Sequence, residues 1–483
     1  MRRSFLFAAL ACLIVLGGQS FAELCTIDAV PAATLLLPYF EVGLTETPAD
    51  PVRGVRSVDT FFSVNNASAA ATVAHVVLWG DWSLPSIDFD IFLTGYDVET
   101  VSLSRVFNHG DLPITAHATN DGDDTISPHG HTKSDNPQWD SFPDNPTGPA
   151  FPGCDVNLPL GPNPTLTGLF ADRVRCGHTG RGLACDEQAC IGRVLDETGA
   201  ETNDFIARGY ITIDNVIDCN LRFPNDATGY FGADGVASNV NQLWGDWFIV
   251  QDGRATGDNL VAIEADPEGV AFAPGDYTFY GRYVSGLATD QREPLASTWA
   301  TRYFAPGSVF DGGSSLLVWR DSKCQTAADS FGPGCAPEFG KPPWWPLEET
   351  QAVAFDTQED ACEICTELPG PPTIGVSPPP LIEPDPQQCF RRETGRYRVG
   401  YDNLIPPFPS GWLYLNLNFI LGDTGGVCET EGLFGEIAQS WVHVELDSVD
   451  LSEGALSVGF AGTQLTSACS SANPVIVGDL GID

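Results

Sequence analysis

Positive charge is scarce in this chain. It carries 23 lysines and arginines against 64 aspartates and glutamates, a formal net charge of −41 at pH 7. Proteins bind phosphate backbones by neutralising them with Lys and Arg, so nucleic acid is excluded as a natural partner. An anionic membrane surface is disfavoured for the same reason. Beyond the amino-terminal leader no apolar run is long enough to span a bilayer, which takes about 20 residues, so no membrane span is expected. Several catalytic signatures are also missing. There is no Gly-x-Ser-x-Gly elbow, no His-Glu-x-x-His, no Walker loop and no Gly-x-Gly-x-x-Gly opening a helix, so none of the chemistries tied to those motifs is indicated.

What is present points to export. Arg2 and Arg3 precede an apolar run from Phe5 to Leu16, and Ser20-Phe21-Ala22 places small residues before a cut at Glu23. Residues 1–22 are therefore expected to be a secretory signal peptide. Ala9-Leu10-Ala11-Cys12 resembles a lipoprotein box, but the apolar run continues past Cys12, which favours the plain signal. The acidity suits a soluble extracellular, periplasmic or cell-surface protein, and its first reading is solubility. With 43% hydrophobic residues the chain has ample surface to bury and is not globally disordered. One of fourteen cysteines lies in the leader, and the remaining thirteen read first as disulfides. The odd count predicts a free thiol, an intermolecular bridge or a lone metal ligand. Local candidates are Cys324–Cys335 and two bridges among Cys154, Cys176, Cys185 and Cys190.

Period-two patterns recur along the chain. Val30–Gly43 is an apolar, Pro-bounded run. Val58, Thr60, Phe62 and Val64 alternate, Val73–Trp79 follows, and Ile87, Phe89, Ile91 and Leu93 alternate against Asp88 and Asp90, which read as the wet face of a strand. Strand signals continue at Val98–Phe107 and Phe205–Cys219. They are densest from Leu243 to Arg320, with runs at Leu243–Gln251, Asn259–Ala265, Gly275–Ser285 and Ser314–Arg320. Within Gly275–Ser285, Tyr277, Phe279 and Tyr283 fall on one side and Tyr280 on the other. Leu295, Trp299 and Tyr303, four apart and following Pro294, predict a short helix. Leu413, Leu415, Leu417, Phe419 and Leu421, then Val442, Val444 and Leu446, then Leu456, Val458 and Phe460 mark late strands, expected to complete a sheet begun near the amino terminus. Short strands with frequent turns predict an all-β fold of antiparallel β-sandwich modules, one large or two packed, with Cys/Pro-rich loop insertions. The expected divisions are a signal peptide at 1–22 and sandwich strands at 23–108. A Cys/His/Asp-rich insertion at 109–201, a central β module at 202–320, a Pro/Cys-rich linker at 321–395 and closing strands at 396–483 follow. Leu78-Trp79-Gly80-Asp81-Trp82 recurs as Leu243-Trp244-Gly245-Asp246-Trp247, a hint of duplication.

An early LLLPYFEV segment, the strand FFSVNNAS, the block GDYTFYGRY followed by REPL, and LLVWR together resemble segments of uncharacterised secreted bacterial all-β proteins. The resemblance implies secretion and a β fold. It implies no activity, and no functional residue is carried over from it.

Few constellations carry chemistry. His109, His117, His129 and His131, four of the seven histidines, share one loop with Asp121, Asp123 and Asp124. Imidazole with carboxylate suits Zn²⁺, and Asn120–Asp124 offers hard oxygens and a Gly turn to Ca²⁺. The candidate metal ligands are His117, Asp121, Asp123, His129 and His131, against the bland reading of a solvated loop. Cys362-Glu363-Ile364-Cys365 lies beside Pro-rich sequence with no βαβ pattern, so a structural disulfide is expected there rather than redox exchange. Carboxylate pairs such as Asp88/Asp90 and Glu264/Asp266 arise freely in so acidic a chain and do not by themselves indicate glycoside hydrolysis. Trp344-Trp345 read as exposed, and Trp79, Trp247 and Trp319 as core. Asn66-Ala67-Ser68 forms a glycosylation sequon. The leading expectation is a non-catalytic structural, adhesive or binding protein of the cell exterior, with a glycan or cell-surface partner. The alternatives are a carbohydrate-binding protein or glycoside hydrolase, and a divalent-metal protein.

Overall fold

The computed structural model describes residues 30–44, 58–109, 206–217, 222–321, 351–365, 392–418, 439–448 and 456–465, less a few positions within these spans, and some isolated residues between them. The fold is all-β and antiparallel, as the alternation predicts. Four sheets carry it. Sheet 1 runs β12 (Val261–Ile263), β1 (Thr34–Gly43), β8 (Ile206–Val216), β3 (Thr72–Gly80), β4 (Pro85–Leu93). Sheet 2 runs β11 (Arg254–Asn259), β10 (Asp246–Gln251), β2 (Val58–Asn66), β5 (Val98–Ser102), with β9 (Leu243–Trp244) also on β2. Sheet 3 runs β17 (Thr394–Arg398), β14 (Gly313–Arg320), β19 (Ser440–Ser448), β20 (Leu456–Ala461). Sheet 4 runs β16 (Ala361–Ile364), β15 (Gln351–Phe355), β18 (Ser410–Asn416), β13 (Thr298–Phe304), β21 (Thr463–Gln464). A short pair, β6 (Val194–Leu195) and β7 (Glu201–Thr202), lies apart. The short helix α1 (Ala227–Phe231) is capped by Asp226, whose side chain accepts from the Gly229 amide.

Sheets 1 and 2 face each other as one sandwich. Leu35, Leu37, Val76, Leu78, Ile211 and Ile213 of sheet 1 meet Phe62, Val64, Trp247 and Ile249 of sheet 2. The opposite face of sheet 1, with Leu36, Val73, Val77 and Trp79, is covered by α1 and the turns around Phe279, Tyr280 and Val284. β1 and β3 are thus buried on both sides. This is why TLLLPYFEVG and TVAHVVLWG read as near-continuous apolar runs rather than clean alternation.

The structure corrects three sequence expectations here. Of the strand expected at Gly275–Ser285, the described residues 275–284 form no strand. Gly281 N–H bonds Thr278 O at 3.0 Å and Tyr283 N–H bonds Tyr280 O at 2.8 Å, which makes consecutive turns. The aromatic spacing there serves packing onto a ready-made sheet. The helix expected around Leu295–Tyr303 is instead β13, with Trp299, Thr301 and Tyr303 turned inward. A spacing of four fits the helical period and is also twice the strand period, so Trp299 and Tyr303 alone cannot separate them. The late strands pair with β13 and β14, not with strands of the amino-terminal sheets.

Sheet 3 is shared between two cores. Leu316, Val318, Val442, Val444 and Leu446 pack on Trp299, Leu413 and Leu415 of sheet 4. The intervening residues point the other way, so that Leu317 joins the first core and Trp319 the cover of sheet 1. His443 packs edge-on against Trp247, with ring centroids 5.0 Å apart. Gly459 makes room for this: a Cβ there would stand 2.5 Å from both His443 Nε2 and Thr256 Oγ1. Charged ties complete the junction. Arg396 donates to Glu41 Oε2 at 3.1 Å and also to Glu445. Arg392 donates to Asp81 at 2.8 Å, and Arg282 to Asp321 at 2.7 Å and to Glu393. Burial alone would depress the pKa of Arg396, but Glu445 and Glu41 outweigh it and raise it.

Removing one partner of such a buried cluster strands the others. Arg396→Ala is expected to destabilise the protein by about 3–5 kcal/mol in denaturant unfolding. Arg254→Ala breaks a 3.7 Å contact to Asp447 between part-exposed groups and is expected to cost under about 1 kcal/mol.

Candidate functional site

The metal ligands expected from sequence, His117, Asp121, Asp123, His129 and His131, lie outside the described residues, as do Trp344 and Trp345. Among the described residues one group has ligand atoms close enough for a metal, Glu349, Cys365 and Cys389. Its sulfurs are joined to each other as a disulfide, and Glu349 accepts the Cys389 amide at 2.7 Å. That cluster is a structural clasp with no thiolate to offer. The CxxC is therefore split: Cys365 is bonded 24 residues downstream, and Cys362 is free. The sequon asparagine, Asn66, is 2% exposed. Its amide donates to Ala70 O at 2.6 Å while its oxygen accepts the Ser68 amide at 2.9 Å. It is tied into a turn rather than offered to a glycosylating enzyme.

Asp88 and Asp90 are not a wet face. They belong to a charged row across the covered side of sheet 1. Cross-strand register sets Asp90 opposite His75, His75 opposite Asp214, and Asp214 opposite Thr34. His75 is fully buried; Nδ1 lies 2.7 Å from Asp90 and Nε2 3.0 Å from Arg222 O. Asp214 accepts from Tyr230 at 2.6 Å and Tyr280 at 2.9 Å, with Arg292 Nε at 3.5 Å. Arg292 in turn faces Asp290 at 3.3 Å. Charges therefore alternate in sign along the row, which is what a buried set needs to avoid a bare ion. Burial opposes the charge on His75, but Asp90, by charge and hydrogen bond, together with Asp88 and Asp214, raises its pKa to about 9. Burial, partly offset by His75, pushes Asp88 to about 6. His178 goes the other way. Burial beside Phe40 and Phe107 lowers it to about 4, so it stays neutral. The Asp88/Asp90 pair singled out by its alternation is thus largely buried, tied to His75 and structural.

The exposed chemistry lies elsewhere, on the outer faces of sheets 2 and 4. On sheet 2, Phe61, Phe248 and Gly257 sit side by side across β2, β10 and β11. Phe248 is 45% exposed, and so is Trp244, which stands opposite Asn65. A Cβ at residue 257 would meet Phe248 Cδ1 at 2.6 Å, so the glycine lets that ring lie over the sheet. On sheet 4, Phe355, Trp412 and Arg302 form one row across β15, β18 and β13. Trp412 is 44% exposed, and the Arg302 guanidinium lies 5.4 Å from its ring centroid and 5.9 Å from that of Phe304. Tyr414 follows Trp412 on the same face. The chain has no match among protein-family models, curated proteins or solved structures.

The repeated Leu-Trp-Gly-Asp-Trp does not mark equivalent places. Trp79 ends β3 and is buried, whereas Trp244 is exposed on β9. Asp81 binds Arg392, and Asp246 accepts from Ser63 at 2.8 Å. Trp79, Trp247 and Trp319 are core, as expected. Sequence reasoning missed Trp412, Phe248 and Arg302. The signal for Trp412 is SGWLYLN in β18, where aromatic residues occupy the phase opposite Leu413 and Leu415. A strand apolar on both phases either is buried twice or presents a sticky face.

The His75 row makes a pH prediction. A histidine whose pKa is raised on folding contributes fully below its unfolded value of 6.5 and loses that contribution as pH rises through about 9. Wild-type stability relative to His75→Gln should therefore shrink by up to about 3 kcal/mol between pH 6 and 10, read from denaturant midpoints.

Proposed function

We propose that this is an exported, non-catalytic protein of the cell exterior that acts by binding, with the uncovered faces of sheets 2 and 4 as its contact surfaces. One contrast carries the reading. The His75 row, the Arg292 cluster and the Arg396 junction are closed into neutralising contacts inside the fold, while Trp244, Phe248 and Trp412 are each 44–45% exposed on sheet faces. Large aromatics are the residues that anchor interfaces when they are presented to a partner. Exposed apolar groups collected on one face mark interaction sites rather than a random surface. The acidic surface keeps the protein soluble despite these rings.

The test is a binding screen on a printed array of oligosaccharides and extracellular proteins, using wild type and the Trp244→Ala, Phe248→Ala and Trp412→Ala variants. At least one class should be retained. At least one variant should lose tenfold or more in affinity, about 1.4 kcal/mol, without a change in melting temperature. Retention that all three variants leave intact would overturn the assignment to these faces. No retained class at all would overturn the binding role.

A further inference from the structure

We propose that the Phe355–Trp412–Arg302 row of sheet 4 binds an oligosaccharide bearing a sugar carboxylate, a uronic-acid glycan; this rests on the binding role above and names its ligand. The argument starts from Arg302. In a protein this acidic, its arginines readily find carboxylates. Buried Arg282, Arg292 and Arg396 face Asp321, Asp214 and Glu445, and exposed Arg222 faces Asp226 at 2.7 Å. Arg302 has no carboxylate among the described residues; its contacts are the ring faces of Phe304 and Trp412. Those rings hold the guanidinium against an indole that is 44% exposed, and no described carboxylate takes its donors.

The geometry fits a sugar. Phe355, Trp412 and Arg302 lie on three adjacent strands in register, a span of about 10 Å at the normal strand spacing, the length of a disaccharide. β21 pairs with Trp299 and Ala300 and stops short of Arg302, so no described strand pairs beyond Arg302 at this end of the row. A pyranose presents an apolar C–H face, which stacks on an indole, and polar groups at its rim. With the ring on Trp412, a C5 carboxylate reaches the side where Arg302 stands, and a planar guanidinium binds a carboxylate through two parallel hydrogen bonds. A second copy of the chain is a poor occupant, because bodies of net charge −41 repel each other. Asp356 adjoins the Phe355 end of the row; at 0.15 M salt fields fade over about 8 Å, so a carboxylate seated at the Trp412–Arg302 end is governed chiefly by Arg302.

The experiment is calorimetric titration at 0.15 M salt with a galacturonate oligosaccharide, a mannuronate oligosaccharide and the carboxyl-reduced, neutral counterpart of each. At least one acidic form is expected to bind ten times or more tighter than its neutral counterpart. Arg302→Gln should erase that preference, Arg302→Lys should keep part of it, and Trp412→Ala should weaken acidic and neutral forms together. Near-UV circular dichroism checks that each variant keeps its packing. Equal affinity for acidic and neutral forms, or a preference that survives Arg302→Gln, would overturn acid recognition and leave the binding role standing. No binding by any of the four sugars, while the array yields a ligand sensitive to Trp412→Ala, would overturn the sugar assignment alone. A blank result in both experiments would remove the binding role as well.

Discussion

Arg396 stands between carboxylates of two different sandwiches, Glu41 on β1 and Glu445 on β19, and the arrangement of the molecule depends on that bridge. A guanidinium withdrawn from water is tolerable only when its charge is matched nearby. Here the match comes from both sides of a junction, so the charge is satisfied only when the halves are docked. Tyr39 donates to the same Glu41 at 2.5 Å and Arg208 lies 3.6 Å from it, so the bridge extends into the wall of sheet 1. Leu317 adds the apolar part of the fit by entering the first core from sheet 3. Apolar contact supplies the attraction and the ion pairs supply registration, since a shift along either strand would leave a buried charge bare.

The same economy of cations shapes the surface. With 23 basic residues for 64 acidic ones, the chain places arginines beside the buried carboxylates Asp214, Glu393 and Glu445. The described surface adds a few aromatic rings on sheet faces to a chain whose net charge is −41. Those two surface characters oppose each other usefully. Rings on an uncharged protein would invite self-association, and here repulsion between copies restrains it.

Much of the fold was legible from the alternation of residues. Val58–Asn66, Thr72–Gly80, Pro85–Leu93 and Ser440–Ser448 appear as strands where the pattern placed them. Errors arose where a pattern had two sources. Phe279, Tyr280 and Tyr283 recur closely because turns set them into the cover over sheet 1, and Trp299 and Tyr303 are spaced for either a helix or a strand. Asp88 and Asp90 look solvated in sequence because an acid on a strand usually is. Only the third dimension brings His75 opposite one of them and a covering layer over both. The sheet faces offered as contact surfaces were the least legible part. Exposure of Trp412 depends on what the assembled layers place over its face of β18, and is not a property of the local residues.

Sheet 3 has one consequence for how the chain is made. Glu41 is synthesised 355 residues before Arg396, and Leu317 must wait for β19 before its own sheet exists. Strands emerging first from the ribosome therefore cannot reach their final state alone; an amino-terminal sandwich with an unfilled flank persists until the last quarter of the chain arrives. Contacts so distant along the chain fold slowly. Locking of the two sandwiches is therefore delayed until most of the chain has been made.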